Sequence, residues 1–133
     1  MKPDMPQIEI LWADNKVTAT LRDTPSSRAL LAATPFSTTA NLWGEEVYCT
    51  TPALKLALED DAQQVVEPGT VCYWLGGNAL ALPWGRTPIS RDARPCLVEA
   101  CNVLGEIDGD PKQLARIPAG ASLQIRRAGD TRE

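Results

Sequence analysis

Aromatic and acidic side chains lie close together at Trp43, Glu45, Glu46 and Tyr48. Alternate residues of a strand share a face, so Glu46 and Tyr48 face one way and Glu45 faces the other way with Val47. If Val47 points into the core, Glu45 does too. An isolated buried carboxylate is unfavourable, so Glu45 would then need a partner. This spacing favours a carboxylate in a pocket with aromatic walls.

The partner that we predict for Glu45 is Arg86, in a stretch of chain with little periodicity. Trp84, Arg86 and Thr87 begin that stretch, which extends over residues 83–99 and contains three prolines and three arginines. An arginine suits bidentate recognition of a carboxylate or phosphate, and a tryptophan adds apolar area. Alternatively, Gly44 breaks the strand alternation, and Glu45 only accepts hydrogen bonds from loop amides.

A further aromatic pair, Tyr73 and Trp74, occupies adjacent positions of a predicted strand. Their side chains must point to opposite faces, so one is expected in the core and the other is available to line a groove. Asn102 lies at the start of another predicted strand, where asparagine is disfavoured, and we expect it to hold the long loop at residues 83–99 by side-chain hydrogen bonds.

The sequence contains no histidine, and this excludes several kinds of site. Ser-His-Asp and Cys-His nucleophiles are impossible, as are zinc sites that use histidine. The four cysteines form no C-x-x-C pair and are expected to be buried, reduced thiols. The acidic run at residues 59–61 lacks the spacing of a calcium loop. We therefore predict no metal and no cofactor.

The composition limits the classes of partner that the chain is expected to bind. The net charge of −4 argues against nucleic acid, which requires clustered lysine and arginine. No apolar run approaches the ~20 residues needed to span a bilayer, so no membrane partner is expected. The polar N-terminus does not resemble a signal peptide, which predicts a cytoplasmic location.

The elements that would position these residues are mostly strands. Alternation and turn signals predict about eight strands: residues 7–12, 16–21, 36–42, 46–51, 69–75, 79–82, 100–107 and 122–127. Short helices are predicted after Thr24-Pro25 and after Asp110-Pro111, and residues 54–63 are ambiguous. The pattern predicts one mostly-β domain over residues 1–133, with its core at about 8–127. We expect a closed antiparallel barrel, which leaves no exposed sheet edge.

The order and spacing of four segments resemble a known family. The segments are NLWGEEVY (41–48), EPGTVCYW (67–74), GRTP (85–88) and NVLG (102–105). Together they resemble short bacterial proteins with a cyclophilin-like barrel and no assigned function. The resemblance implies a closed barrel with capping helices, as in peptidyl-prolyl isomerases. However, the isomerase F-H-R motif is absent, so no isomerase residue can be carried over.

These observations lead to three hypotheses. The first is a groove between the 43–48 block and the 84–88 loop that binds a small acidic molecule or a peptide. Its residues would be Trp43, Glu45, Tyr48, Trp74, Trp84, Arg86 and Thr87. The second is a peptidyl-prolyl isomerase in which Arg86 polarises the prolyl amide. The third is a homo-oligomeric interaction module with an exposed strip formed by Leu54, Leu56 and Leu58.

Overall fold

A computed structural model describes residues 5–129. The domain was expected over residues 1–133, of which 1–4 and 130–133 lie outside the described part. The ten strands are β1 (Gln7–Trp12), β2 (Asn15–Leu21), β3 (Phe36–Thr39), β4 (Asn41–Leu42), β5 (Glu46–Thr50), β6 (Gln63–Val65), β7 (Thr70–Trp74), β8 (Ala79–Pro83), β9 (Cys96–Ile107) and β10 (Ser122–Arg127). The helices are α1 (Pro25–Ala33) and a 3₁₀ helix (Pro111–Arg116).

The strands pair in the order β3-β10-β1-β2-β9-β7-β8-β5-β4, and β6 adds to β9 outside this path. Every pairing is antiparallel. Within the described chain no ladder joins the end strands β3 and β4, so the prediction of a closed barrel was wrong. The number of strands also exceeds the expected eight, because the predicted strand 36–42 is split and β6 was not identified. Ala40 causes the split, since its amide donates to the carbonyl oxygen of Ala121 and its oxygen accepts from Gly120.

The main core fills the inside of the curved sheet. Ile8, Ile10 and Trp12 alternate inward from β1, as their spacing predicts. Leu30 of α1 is fully buried against the same core. The predicted cap is confirmed, because the Thr24 hydroxyl accepts from the Ser27 amide at 3.0 Å. This helix therefore begins where a capping side chain satisfies one of its free amides.

A second, smaller core lies on the opposite face of β7 and β8. Val71 and Tyr73 belong to the main core, whereas the alternate residues Cys72 and Trp74 belong to the second one. The first half of β9, paired with β6, covers this outer face. The sequence predicted a loop up to residue 99, but β9 begins at Cys96. Both faces of β8 are consequently buried.

Strand β9 can serve both cores because it changes register at a bulge. Val71 pairs with Gly105, but Cys72 pairs with Val103. At Gly105 the neighbouring strand β2 comes so close that an added Cβ would lie 2.0 Å from the carbonyl oxygen of Thr20. Only glycine fits at this crossing without displacing the backbone of β2.

We expect Gly105→Ala to destabilise the fold by about 3 kcal/mol, since the methyl group must push apart two central strands. Urea unfolding followed by circular dichroism measures this loss. The matched control is Gly120→Ala. Gly120 has a φ of +84° and no neighbour within 4 Å of an added Cβ, so only the backbone penalty of about 1 kcal/mol is expected. Equal losses in the two variants would contradict the steric account.

Candidate functional site

A buried carboxylate on the outer face of the sheet is the starting point of the candidate site. In β5, Val47 and Cys49 point into the main core. The alternate residues Glu46 and Tyr48 therefore face outward, towards the second core. Glu46 is only 5% exposed. The strand alternation noted from the sequence is correct, but the carboxylate that it buries is Glu46.

A cavity of about 170 Å³ opens beside this carboxylate. Its lining is mostly apolar and comes from the turn before β5 and from strands β5, β7, β8 and β9: Trp43, Glu46, Tyr48, Trp74, Ala81, Leu97, Val98 and Cys101. The rings of Tyr48 and Trp74 stand nearly perpendicular, with an interplanar angle of 83° and centroids 6.2 Å apart. Val98 is 49% exposed, so the cavity reaches the surface beside that residue.

The hairpin between β4 and β5 places the third ring. The backbone amide of Trp43 donates to the carbonyl oxygen of Glu46 at 3.0 Å, which closes a tight turn. Gly44 occupies that turn with a φ of +60°, a conformation that favours glycine. The segment Trp43-Gly44-Glu45-Glu46 therefore brings an indole and a buried carboxylate to one wall of the cavity.

The indole of Trp74 is fixed from two sides. Its Nε1–H donates to Glu99 Oε2 at 2.5 Å. On its other side, a Cβ added at Gly77 would lie 2.3 Å from the ring. In the turn between β7 and β8 the residue with positive φ is Asn78, at 48°. Gly77 instead leaves space for the tryptophan ring.

In the described part of the chain, no cationic side chain compensates the charge of Glu46. Its Oε1 is buried and has no hydrogen-bond partner among the described residues. None of the ion pairs within residues 5–129 includes this carboxylate. Burial raises the pKa of Glu46 to about 7. The carboxylate is therefore poised between its protonated and ionised forms near neutral pH.

The thiols near Glu46 do not supply a counter-charge. Burial, followed by the nearby Cys101 and Glu46, raises the pKa of Cys72 well above its ordinary value. Burial, followed by Glu46 and Glu99, raises the pKa of Cys101 to about 12. Both groups are thus neutral thiols at physiological pH, and thiols are weak hydrogen-bond donors. All four cysteines are free, and Cys96 alone among them is half-buried.

Glu45 lies outside the cavity and holds the neighbouring loop. Its Oε1 accepts from the backbone amide of Arg86 at 2.9 Å. Its carbonyl oxygen accepts from the amides of Trp84 and Gly85. The 43–48 block and the 84–88 loop are therefore adjacent, as the sequence suggested. They are joined by direct hydrogen bonds, and a Cβ at Gly85 would lie 2.2 Å from the Glu45 carboxylate.

The remaining predicted residues belong to the architecture of the 84–95 loop. The guanidinium of Arg86 donates to the carbonyl oxygens of Asp92 and Ser90, at 3.0 and 3.3 Å. The Thr87 hydroxyl donates to the carbonyl oxygen of Cys96 at 2.5 Å. Trp84 is half-buried against the main core. Of the seven residues predicted for the groove, Trp43, Tyr48 and Trp74 line the cavity, and Glu45, Trp84, Arg86 and Thr87 do not.

Asn102 and the leucines of the 54–58 segment have structural contacts. Asn102 accepts from the amide of Glu59 at 2.8 Å and donates to the Ala57 carbonyl oxygen at 3.0 Å. It therefore holds the segment before β6, and the prediction that it holds the 83–99 loop was wrong. Leu54 and Leu56 pack against the main core, and of the three leucines predicted to form an exposed strip only Leu58 is exposed. The apolar surface expected for an oligomer interface is therefore not continuous here.

Among residues 5–129, no group of three or more His, Cys, Asp or Glu side chains could hold a metal ion. The helices in the same part of the chain are too short and too polar to cross a membrane.

We predict that Glu46 makes the stability of the domain depend on pH. Its pKa rises from an ordinary 4.5 to about 7 on folding. The folded state therefore holds a proton that the unfolded state releases between these values. Stability from this group is fully present below about pH 4.5 and falls as the pH rises towards 7. Glu46→Gln cannot ionise and so avoids this loss. Its free energy of unfolding is expected to exceed that of the wild type by about 3 kcal/mol at about pH 8.

Urea unfolding of both proteins between about pH 5 and pH 8 measures this effect, and the stability difference should grow across the range. Glu45→Gln is the matched control, because its carboxylate is exposed, and its pH profile should parallel that of the wild type. Parallel profiles for Glu46→Gln and the wild type would show that the Glu46 carboxylate is not perturbed.

Comparison with known proteins places the chain in a family. The family model described as cyclophilin-like matches residues 6–126. The solution structure of a hypothetical protein from Archaeoglobus fulgidus is similar, with a TM-score of 0.76 and 33% sequence identity. The match covers 96% of this chain and 98% of that one. The comparison with curated proteins found no match. This neighbour is archaeal, so the bacterial origin expected from the resemblance is not shown. The chain belongs to the cyclophilin-like family.

Proposed function

We propose that this domain binds a small molecule in the cavity beside Glu46. The ligand would be compact and mostly apolar, with one hydrogen-bond-donating group directed at the carboxylate. The observation that carries the proposal is that Glu46 Oε1, buried and without a hydrogen-bond partner among the described residues, belongs to a residue that lines a cavity.

Burial of the Glu46 carboxylate has an energetic cost. An ionised carboxylate that is removed from water without a partner destabilises a protein by several kcal/mol. An apolar residue in its place would join the second core without this cost. A ligand that donates to Glu46 offsets the cost only when it is bound, so the destabilisation of the free protein becomes affinity in the complex.

The dimensions of the cavity define the size of the ligand. Its volume is about 170 Å³, and an apolar cavity of ~150 Å³ is known to admit benzene. Aromatic walls favour a flat or compact apolar body through buried area and ring contacts. A single-ring compound with one polar substituent therefore matches the lining.

The structure does not favour the acidic ligand expected from the sequence. That expectation depended on an arginine in the groove, but Arg86 donates to the carbonyl oxygens of its own loop. A carboxylate at the cavity wall repels an anion. We do not propose isomerase activity either, because the predicted electrophile for the prolyl amide was also Arg86, which does not line the cavity.

The test uses benzyl alcohol as a neutral probe and benzylamine as a charged one, followed by the indole N–H signals of the ¹⁵N-labelled protein. The chain has four tryptophans. Trp43 and Trp74 line the cavity, whereas Trp12 and Trp84 pack on the main core and serve as internal controls. We expect saturable shifts at Trp43 and Trp74, with a Kd on the order of 1 mM for a ligand of this size.

Two variants identify the cavity as the place of binding. Ala81→Ile fills its floor, and Val98→Phe narrows its exposed rim, where a folding defect is not expected. Each should abolish the shifts while leaving the spectrum otherwise dispersed. If neither probe moves the signals of Trp43 and Trp74 in the wild type, the proposed function is wrong.

A further inference from the structure

We propose that the cavity selects organic ammonium cations, with Glu46 as the counter-ion and the surrounding aromatic rings as the wall for the apolar part. This inference rests on the proposed function and specifies the class of ligand. It follows from the charge distribution around the cavity and from the arrangement of the rings, which are independent observations.

The described chain places no positive charge near Glu46. The titratable groups that face the cavity or its walls are Tyr48 on β5, Cys72 on β7, and Glu99 and Cys101 on β9. None of these groups is cationic. Strand β8 contributes Ala81 to the lining, which has no charge. Within residues 5–129, the ion pairs of arginine and lysine are all made with other carboxylates.

A neutral ligand leaves the negative charge of Glu46 uncompensated. A hydroxyl group can donate a hydrogen bond to Glu46, but the complex then retains a buried net negative charge. A protonated amine donates a hydrogen bond and also neutralises the charge, and charge-assisted hydrogen bonds are roughly twice as strong as neutral ones. The cavity is therefore expected to distinguish two ligands of the same shape by charge alone.

The aromatic rings around the cavity are arranged in a way that suits a cation. Tyr48 and Trp74 form a corner with an interplanar angle of 83°, and Trp43 provides a third ring. Aromatic faces attract cations, most strongly when water is excluded. The corner is also preorganised, because Trp74 is held by Glu99 and by the close contact at Gly77. A rigid aromatic wall loses little conformational entropy when a ligand binds.

Proton linkage gives a signature that does not require a variant. An ammonium ion binds the ionised form of Glu46, whose pKa is raised to about 7. Between about pH 5.5 and pH 8 the ionised fraction rises about thirtyfold, and affinity for the cation should rise in parallel and then level off. Cys72 and Cys101 do not titrate in this interval, because their pKa values are raised further above it.

The decisive experiment compares benzylammonium with benzyl alcohol, which have nearly the same shape and differ in charge. Titrations followed at the Trp43 and Trp74 indole signals at about pH 7.5 should show benzylammonium binding at least about tenfold more tightly. Glu46→Gln should remove this preference, weakening benzylammonium about tenfold while changing benzyl alcohol less than about threefold. Glu45→Gln, whose carboxylate lies outside the cavity, should retain the preference.

The outcomes separate the two proposals. Equal binding of both compounds by the wild type would overturn the selection of cations and leave the proposed function intact. Tight binding of benzylammonium that is unchanged in Glu46→Gln and independent of pH would overturn the role of Glu46 as counter-ion. Binding of neither compound would remove the ligand site and, with it, this inference.

Discussion

Strands β7 and β8 are buried on both faces, and the rest of the structure depends on this double burial. An antiparallel sheet usually packs one face on a core and exposes the other. Here the inner face packs on the main core, and the outer face needs a second cover. The first half of β9 and the short strand β6 supply that cover. The cavity lies where the cover ends, between Leu97 and Val98 on one side and the aromatic rings on the other.

This arrangement explains why Glu46 is buried while its Oε1 has no hydrogen-bond partner among the described residues. Its position on β5 sends it to the outer face, where a solvent-exposed carboxylate would be ordinary. The extra layer on that face removes the solvent but brings no cation. The burial of Glu46 is thus a consequence of β9 folding over the sheet, and the pKa of about 7 follows from it. The site and the second core have the same structural origin.

Much of the fold could be predicted from the sequence, because local patterns specify it. Ile8, Ile10 and Trp12 alternate clearly, and Thr24 with Pro25 begins a helix by well-understood capping. Strand β6 could not be predicted in the same way. It is only three residues long. Its partner Cys96 directly follows a proline-containing loop, so no sequence pattern marks residue 96 as the start of β9.

The site could be predicted only in part, for a related reason. Three of its aromatic residues, Trp43, Tyr48 and Trp74, were identified from their types and spacing. The carboxylate was assigned to Glu45, because a single buried face was assumed for β5. The sequence shows that Glu46 and Tyr48 share one face of the strand. No residue near them in the sequence indicates that this outer face is covered. That information lies in Leu97 and Cys101, about fifty residues further along the chain.

The interruption at Ala40 has a mechanical consequence. Strands β3 and β4 end the sheet and follow one another directly in the chain, and no ladder joins them in the described part of the molecule. A single residue, Ala40, links the two edges, and its hydrogen bonds to Ala121 and Gly120 hold it in place. The covalent chain, and not a ladder, therefore sets the distance between the two ends of the sheet. Because β4 leads directly into the turn at Trp43, a displacement at Ala40 would be transmitted to the cavity wall that Trp43 forms.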